Sequence, residues 1–235
     1  MSDFFRFPST PHLAWLGHSR VPREDKILSP ESMRDFLSGE VKIEEKLDGA
    51  NLGISIGNDG KLRIQNRGQY LKEPYAGQFS RLSRWLELHS TALISVLTPN
   101  LIIFGEWCAA RHSLEYSRLP DFFLMFDVYD KSEERFWNSP KRNDLAQQVG
   151  LITVPQIGTY SSISLTGLKS LITTKLSKYR NGQPLEGFVL RKESSEWCES
   201  RAKLVRPDFT QSIVLHWSKR AIEWNQIDYS NSDRR

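Results

Sequence analysis

The sequence predicts an α+β protein of antiparallel sheets flanked by helices. Three observations carry that reading. Runs with a two-residue apolar period recur along the whole chain, an Asp-Gly turn joins two of them as in a hairpin, and a few helix-period stretches lie between the strand runs.

Residues 1–30 hold Pro8, Pro11, Pro22 and Pro30 and are expected as an irregular lead-in that wraps the body. Val41-Lys-Ile-Glu-Glu-Lys46 alternates with period two, Asn51–Ile56 does so weakly, and Lys61–Gln65 alternates again after Asn58-Asp59-Gly60. Lys46 therefore ends a strand just before an antiparallel hairpin.

Residues 78–96 place Phe79, Leu82, Trp85, Leu86, Leu88, Leu93 and Val96 at mostly helical spacing, and Pro99 stops the pattern. Leu101–Phe104 and Phe122–Phe126 are short continuous apolar runs, the pattern of buried central strands. Ser139-Pro140 opens a second helix, with Ser139 as N-cap, and Gly150 closes it. Leu165–Tyr179 is a third candidate helix, and Phe188–Leu190 and Ala202–Val205 are two more strands.

The 235 residues are 39% hydrophobic and 26% charged, an ordered globular composition. Pro and Gly are dispersed and no repeat is present, so one domain over 1–235 is expected. A net charge of +4 tolerates a polyanionic partner without identifying one. Cys108 and Cys198 make neither a disulfide framework nor a zinc spacing, which points to a reducing compartment. No apolar stretch approaches the ~20 residues of a membrane span, and the first residues lack the pattern of a signal peptide. The expectation is a cytoplasmic, soluble chain with no membrane association and no evident obligate protein partner.

Lys46-Leu47-Asp48-Gly49 alone describes a strand end and a turn. Its company changes the reading. Asn66-Arg67-Gly68 follows the hairpin, Phe104-Gly105-Glu106-Trp107 and Phe126-Asp127 end apolar runs, Glu186-Gly187-Phe-Val189 starts a strand, and Arg201-Ala-Lys203 lies in the last.

In this order the residues resemble the covalent nucleotidyltransferases, the superfamily of ATP-dependent polynucleotide ligases and messenger-RNA capping enzymes. The resemblance covers nearly the whole chain and implies the nucleotidyltransferase fold, the ATP-grasp-like adenylation domain of ligases. Asn51, in K-x-D-G-x-N, and the stretches FPSTPHL, GEWCAARHS and RAKLVRPDF are most similar to the RNA ligase 2-like branch of the RNA ligases. The implied activity is ATP-dependent joining of 3′-hydroxyl and 5′-phosphate ends of RNA or RNA-containing strands through a lysyl-AMP intermediate. A capping-type guanylyltransferase, and a non-catalytic nucleic-acid-binding protein of the same fold, are the alternatives.

The resemblance implies Lys46 as nucleophile, with Arg201 and Lys203 as catalytic cations. Glu44, Glu45, Asn51, Arg67, Glu106, Phe126, Glu186 and Lys203 join Lys46 in an ATP and AMP site. Within it Glu106 is expected at the ribose hydroxyls, Arg67 near ribose or phosphate, Phe126 stacked on adenine and Asn51 at a phosphate or a metal-bound water. Glu186 is the expected contact of Mg²⁺ or Mn²⁺. Asp127 and Asp130 are expected to be structural, His112 to be hydrogen-bonded or at the surface, His12 to brace the pocket, and the tryptophans to serve packing.

The first transfer requires a neutral amine, whereas an ordinary lysine titrates near about 10.4. Arg201 and Lys203 are expected to disfavour the ammonium, and Glu44, on the same strand face, to oppose them unless it binds a ligand group or metal. Two features depart from the pattern. Arg201 stands where lysine is usual, and only about thirty residues follow Lys203, too few for a C-terminal oligonucleotide-binding barrel. The basic tail over 207–235, preceded by Arg206, carries Lys219, Arg220, Arg234 and Arg235 with Trp217 and Trp224 between them. It is expected to hold nucleic acid or close the domain.

Overall fold

The computed structural model describes residues 4–17, 26–212 and 221–231; Pro22, Trp217, Lys219, Arg220, Arg234 and Arg235 lie outside the described residues. Pro30 begins a helix instead of closing the lead-in. Ser29 caps α1 (Pro30–Leu37), its hydroxyl accepting from Ser32 N, and proline fits the first turn because its missing N–H would be unpaired there.

The strands β1 (Val41–Lys46), β2 (Ala50–Ile56) and β3 (Leu62–Asn66) match the alternating runs, and β2 and β3 pair as the antiparallel hairpin around Asn58-Asp59-Gly60. The stretch from 78 divides into a 3-10 turn, Gly77–Phe79, and α2 (Leu82–Val96). Then come β4 (Leu101–Trp107), β5 (Phe123–Asp130) and the short β6 (Arg135–Trp137). Next, α3 (Ser139–Gln148) is capped by Asn138, which accepts from Lys141 N. This releases Ser139, expected as the cap, to bind Glu193 through both its N–H and its hydroxyl.

The elements β7 (Ile152–Thr153) and β8 (Gln156–Tyr160) precede α4 (Leu165–Thr174). The third helix stops five residues short of Tyr179. The hydroxyls of Thr173 and Thr174 take up carbonyls of its last turn, and Lys175 is already extended. The chain continues through β9 (Gly187–Glu193), β10 (Trp197–Val205) and α5 (Pro207–Ser212). Among the described residues beyond α5 there are a segment from 221 with isolated bridges at Trp224 and Ile227 and a 3-10 turn, Tyr229–Asn231. No described helix is long and apolar enough to cross a membrane.

Among the described residues ten strands form one sheet in the order β3-β2-β4-β5-β6-β10-β9-β1-β8, with β7 alongside β5. Consecutive β1 and β2 are not neighbours, so Leu47-Asp48-Gly49 steps between two parts of the sheet, whereas β6 pairs with both β5 and β10 and joins them. Each part buries one face. Leu52, Ile54, Ile103, Phe123 and Val128 pack against Trp85 of α2 and Leu145 of α3. Val41, Ile43, Phe188 and Leu204 pack against Phe36 of α1 and Leu168 of α4. Burying such side chains contributes about 1.5–3 kcal/mol each. Because strand side chains alternate, Lys42, Glu44 and Lys46 of β1, Asn51 of β2, Glu106 of β4, Arg191 of β9 and Arg201 and Lys203 of β10 project from the other face.

Candidate active site

Residues from both parts of the sheet line one cavity of about 990 Å³. Strand register sets the order of its wall. Lys46 lies opposite Gly187, which lies opposite Val205; Glu44, Val189 and Lys203 form the next row, and Lys42, Arg191 and Arg201 the third. On the facing part Asn51 of β2 is the cross-strand neighbour of Glu106 of β4. A bulge in β5 pairs Phe104 with Asp127 and Gly105 with Met125, so Phe126 has no partner on β4. The kink lets consecutive residues, Phe126 and Asp127, both line the cavity.

Lys46 Nζ stands 2.6 Å from Glu186 Oε1. Burial works to lower the lysine pKa, but Glu186, Glu106 and Asp48 outweigh it and hold the group above its ordinary value. The charged groups that act most on Lys46 are thus carboxylates, and Arg201, Lys203 and Glu44, the groups weighed from the sequence, are not among them. The carboxyls answer in kind. Burial lifts Glu106 to about 7 and Glu186 to about 8, with Lys46 pulling both down and Asp48 pushing both up.

Asp48 explains the third letter of its motif. Its Oδ2 accepts from Ser113 N at 2.7 Å and Leu114 N at 2.8 Å, while its own N–H donates to the Tyr116 hydroxyl at 2.8 Å. The loop so held brings His112 to the cavity, where Nε2 is 2.7 Å from Gln78 Oε1. Gly49 donates to Glu106 Oε1 at 2.9 Å, and a Cβ there would meet Trp107 O at 2.6 Å. At Gly187 a Cβ would collide with Leu204 O, so this glycine is required by the β9–β10 contact.

Glu44 is 1% exposed and its Oε1 lies 2.7 Å from Arg142 Nη2. Arg191 stands beside it, Nη1 at 3.8 Å from Glu44 Oε2 and 2.7 Å from Asp127 Oδ1, with Nε 2.6 Å from Glu193 Oε1. Burial alone would lower the Arg191 pKa, but Asp127 and Glu44 carry it well above its ordinary value. Both guanidinium groups donate to Phe126 O, Arg142 at 2.7 Å and Arg191 at 3.3 Å. Arg201 completes the network by pairing with Asp127 while stacking on Phe136 at 4.0 Å and Phe7 at 4.8 Å.

Of the remaining sequence candidates, Arg67 reaches the cavity rim and donates to Ser9 Oγ at 2.5 Å. Lys203 lines the wall, its backbone paired with Pro11 and Leu13 of the lead-in. Glu45 alternates away from Glu44 and Lys46. Its Oε2 accepts from Lys178 N at 3.1 Å, and burial raises its pKa. Arg142, Arg191 and Gln78 escaped the sequence reading. Arg191 had a signal, two residues beyond Val189 on the face that continues Gly187; Arg142 and Gln78 had none, because long-range packing alone brings them in.

The donor set suits a divalent cation. Glu186 Oε2 and Asn51 Oδ1 are buried without a hydrogen-bond partner. Three carboxylates, those of Asp48, Glu106 and Glu186, act on one ammonium, Lys46. Among the described residues no group of three or more His, Cys, Asp or Glu stands ready as a protein-only metal cage. Mg²⁺ needs none, since it keeps several waters and takes one or two carboxylates together with phosphate oxygens.

Among curated proteins no relative matches the chain. Solved structures do. A Naegleria gruberi RNA ligase variant with AMP and Mn superposes with a TM-score of 0.64 at 14% identity over 90% of this chain and 58% of that one. A second variant, with ATP and Mn, gives 0.64 at 14% identity over 91% and 59%. A third, without ligand, gives 0.63 at 13% identity over 94% and 59%. The present chain thus spans less than two thirds of the length of these proteins, and at such identity the likeness shows a shared fold. The sequence model of the RNA ligase family matches residues 39–205, which contain Lys46, Glu106, Phe126, Glu186, Arg201 and Lys203. The chain belongs to the RNA ligase family.

Proposed function

We propose that the chain is an ATP-dependent RNA ligase whose single adenylation domain, 1–235, forms a covalent lysyl-AMP on Lys46. The observation that carries the reading is the convergence of chain-distant Lys46, Asn51, Glu106, Phe126 and Lys203 on one cavity, with Glu186 paired to Lys46 at 2.6 Å. The match to the RNA ligase family and the fold shared with ligases crystallised with ATP or AMP and Mn support it.

In the first transfer Lys46, having lost a proton, attacks the α-phosphorus of ATP. An N–P bond forms, the bond from that phosphorus to the α–β bridging oxygen breaks, and pyrophosphate leaves. In the second a 5′-phosphate oxygen attacks the same phosphorus, the N–P bond breaks and the amine regains a proton. In the third the 3′-hydroxyl oxygen attacks the activated 5′-phosphate, losing its proton as AMP departs.

Phe126 stacks on the adenine, Glu106 and Arg67 meet the ribose, and Lys203 faces the phosphates, with Asn51 beside them. Glu186 would hold Mg²⁺ or Mn²⁺, which when bound would neutralise phosphate charge. Arg201 contributes charge through its pair with Asp127. The polynucleotide is RNA, or a strand with RNA at the join. Free Cys108 and Cys198 suit a reducing cytoplasm.

The test is incubation of the full chain with labelled ATP or GTP and Mg²⁺ or Mn²⁺, followed by denaturation. AMP retained by the wild type and lost in Lys46→Ala supports the reading. Retained GMP would favour a guanylyltransferase, and no retained nucleotide would remove the enzymatic reading. Sealing of one nick built with ribose or deoxyribose on each side then defines the substrate.

A further inference from the structure

We infer that Asn225 is a positioning residue for nucleotidyl transfer, holding from outside the loop that Asp48 holds from inside; this rests on the proposed lysyl-AMP chemistry. Asn225 is 2% exposed, although its neighbours Ala221, Ile222, Glu223 and Gln226 are all exposed. Its side chain is fully engaged. Oδ1 accepts from Tyr116 N at 2.8 Å, and Nδ2 donates to Cys108 O at 2.8 Å and Ala110 O at 3.4 Å. Its backbone N–H donates to Ala109 O at 2.9 Å. One amide therefore ties the two ends of the loop 108–116.

Both ends of that loop lead directly into the site. Cys108 lies two residues beyond Glu106 on the same chain, so fixing its carbonyl fixes the end of β4. Tyr116 receives the Asp48 N–H on its hydroxyl, and Ser113 N and Leu114 N bind the Asp48 carboxylate. Asp48 in turn lies two residues beyond Lys46. The rest of the segment reinforces the seat. Trp224 bridges Ala110, Ile227 bridges Leu119, Arg111 pairs with Glu223 at 2.7 Å, and Arg81 lies 4.2 Å over the Trp224 ring.

The segment 221–231 thereby braces the step between β1 and β2 that carries the nucleophile. Of the two roles expected of the tail, holding nucleic acid or closing the domain, 221–231 takes the second and with it a part in the first transfer. A buried side-chain amide suits the task because it supplies two donors and an acceptor in fixed geometry without bringing charge near Asp48.

The test uses the full chain carrying Asn225→Ala or Asn225→Asp, with Ile222→Ala as control in the same segment. Single-turnover formation of lysyl-AMP separates amplitude, which counts folded molecules, from the rate constant, which reports positioning. Asn225→Ala is expected to lower the rate constant at saturating ATP by on the order of tenfold to a hundredfold, as small misplacements do. Asn225→Asp, which keeps the acceptor for Tyr116 N but turns a carboxylate oxygen on the Cys108 and Ala110 carbonyls, should lose at least as much, and Ile222→Ala should match wild type. Amide exchange at Ser113 and Leu114 should accelerate in Asn225→Ala without nucleotide. A loss of amplitude with an unchanged rate constant, or unchanged exchange at both amides, would overturn the inference. A wild type that forms no lysyl-AMP removes the proposed function and this positioning role with it, and the exchange result still separates that failure from the absence of coupling between Asn225 and the loop.

Discussion

Lys46 and Glu186 form an ion pair of 2.6 Å in which the carboxylate side chain is only 4% exposed. The proposed nucleophile is thus held as an ammonium by the residue that, by resemblance, contacts the metal. A cation drawing on Glu186 would weaken that hold and repel the ammonium, so metal binding and nucleophile activation would be coupled through one carboxylate.

The coupling predicts the reactivity of Lys46 without nucleotide. In the wild type Lys46 should react slowly with an amine-acetylating reagent near pH 8. Glu186→Gln removes the carboxylate that most opposes burial, so the Lys46 pKa should fall and labelling should rise by about tenfold, equivalent to one unit. Peptide mass spectrometry across pH 7–10 reads this directly, and equal labelling in both proteins would contradict the ion pair.

A second prediction concerns stability. Glu106 and Glu186 titrate near 7 and 8 in the folded protein, above the ordinary 4.5. Between these values the folded state binds more protons than the unfolded chain, so stability falls as pH rises from about 5 to 8. Lys46 does not contribute there, because stability from a raised lysine pKa is present throughout the range below 10.5. Thermal melts without metal should show Tm decreasing by roughly 5 °C over this range. Glu106→Gln should flatten the slope, and Mn²⁺ should stabilise more at pH 8 than at pH 6.

Asn51 separates function from stability. Its Oδ1 is buried and unpaired, so Asn51→Ala removes an unsatisfied acceptor that costs about 1–3 kcal/mol when left without a partner. The melt should be unchanged or higher, whereas lysyl-AMP formation should fall by about tenfold to a hundredfold. Calorimetry with single-turnover assays checks both signs, and a drop in Tm matched to the drop in rate would make Asn51 a packing residue.

The strands were legible because β1 to β5 carry their own two-residue or continuous apolar pattern, and the Asp-Gly turn fixes the β2–β3 register locally. Short β6 and β7 carry almost no pattern, and the end of α4 depends on two threonine hydroxyls. In the site, motif order brought out Lys46, Glu106 and Glu186, but not the direction of charge around Lys46. That direction depends on Asp48, Glu106 and Glu186 meeting across the sheet, a relation no local spacing contains. Arg201 shows the same limit. Its positive charge was readable, but its engagement with Asp127, Phe7 and Phe136 required the fold.

Glu44 gives the last prediction. From sequence it faces the same way as Lys46 and is expected to stabilise the ammonium. In the structure Arg142 and Arg191 flank it, and the causes that raise the Lys46 pKa are Glu186, Glu106 and Asp48. Glu44→Gln should therefore leave the pH profile of Lys46 labelling where it is, unlike Glu186→Gln. Its effect should be on stability. Arg142→Met leaves the buried Glu44 with only the more distant Arg191 and should cost about 3–5 kcal/mol, whereas Arg142→Met with Glu44→Leu should recover most of that loss. Denaturant melts of the four proteins in this cycle give the coupling, and the double variant also tests Phe126, whose carbonyl loses the 2.7 Å bond from Arg142. If that bond holds Phe126 against the base, the double variant should regain stability but keep a raised KM for ATP.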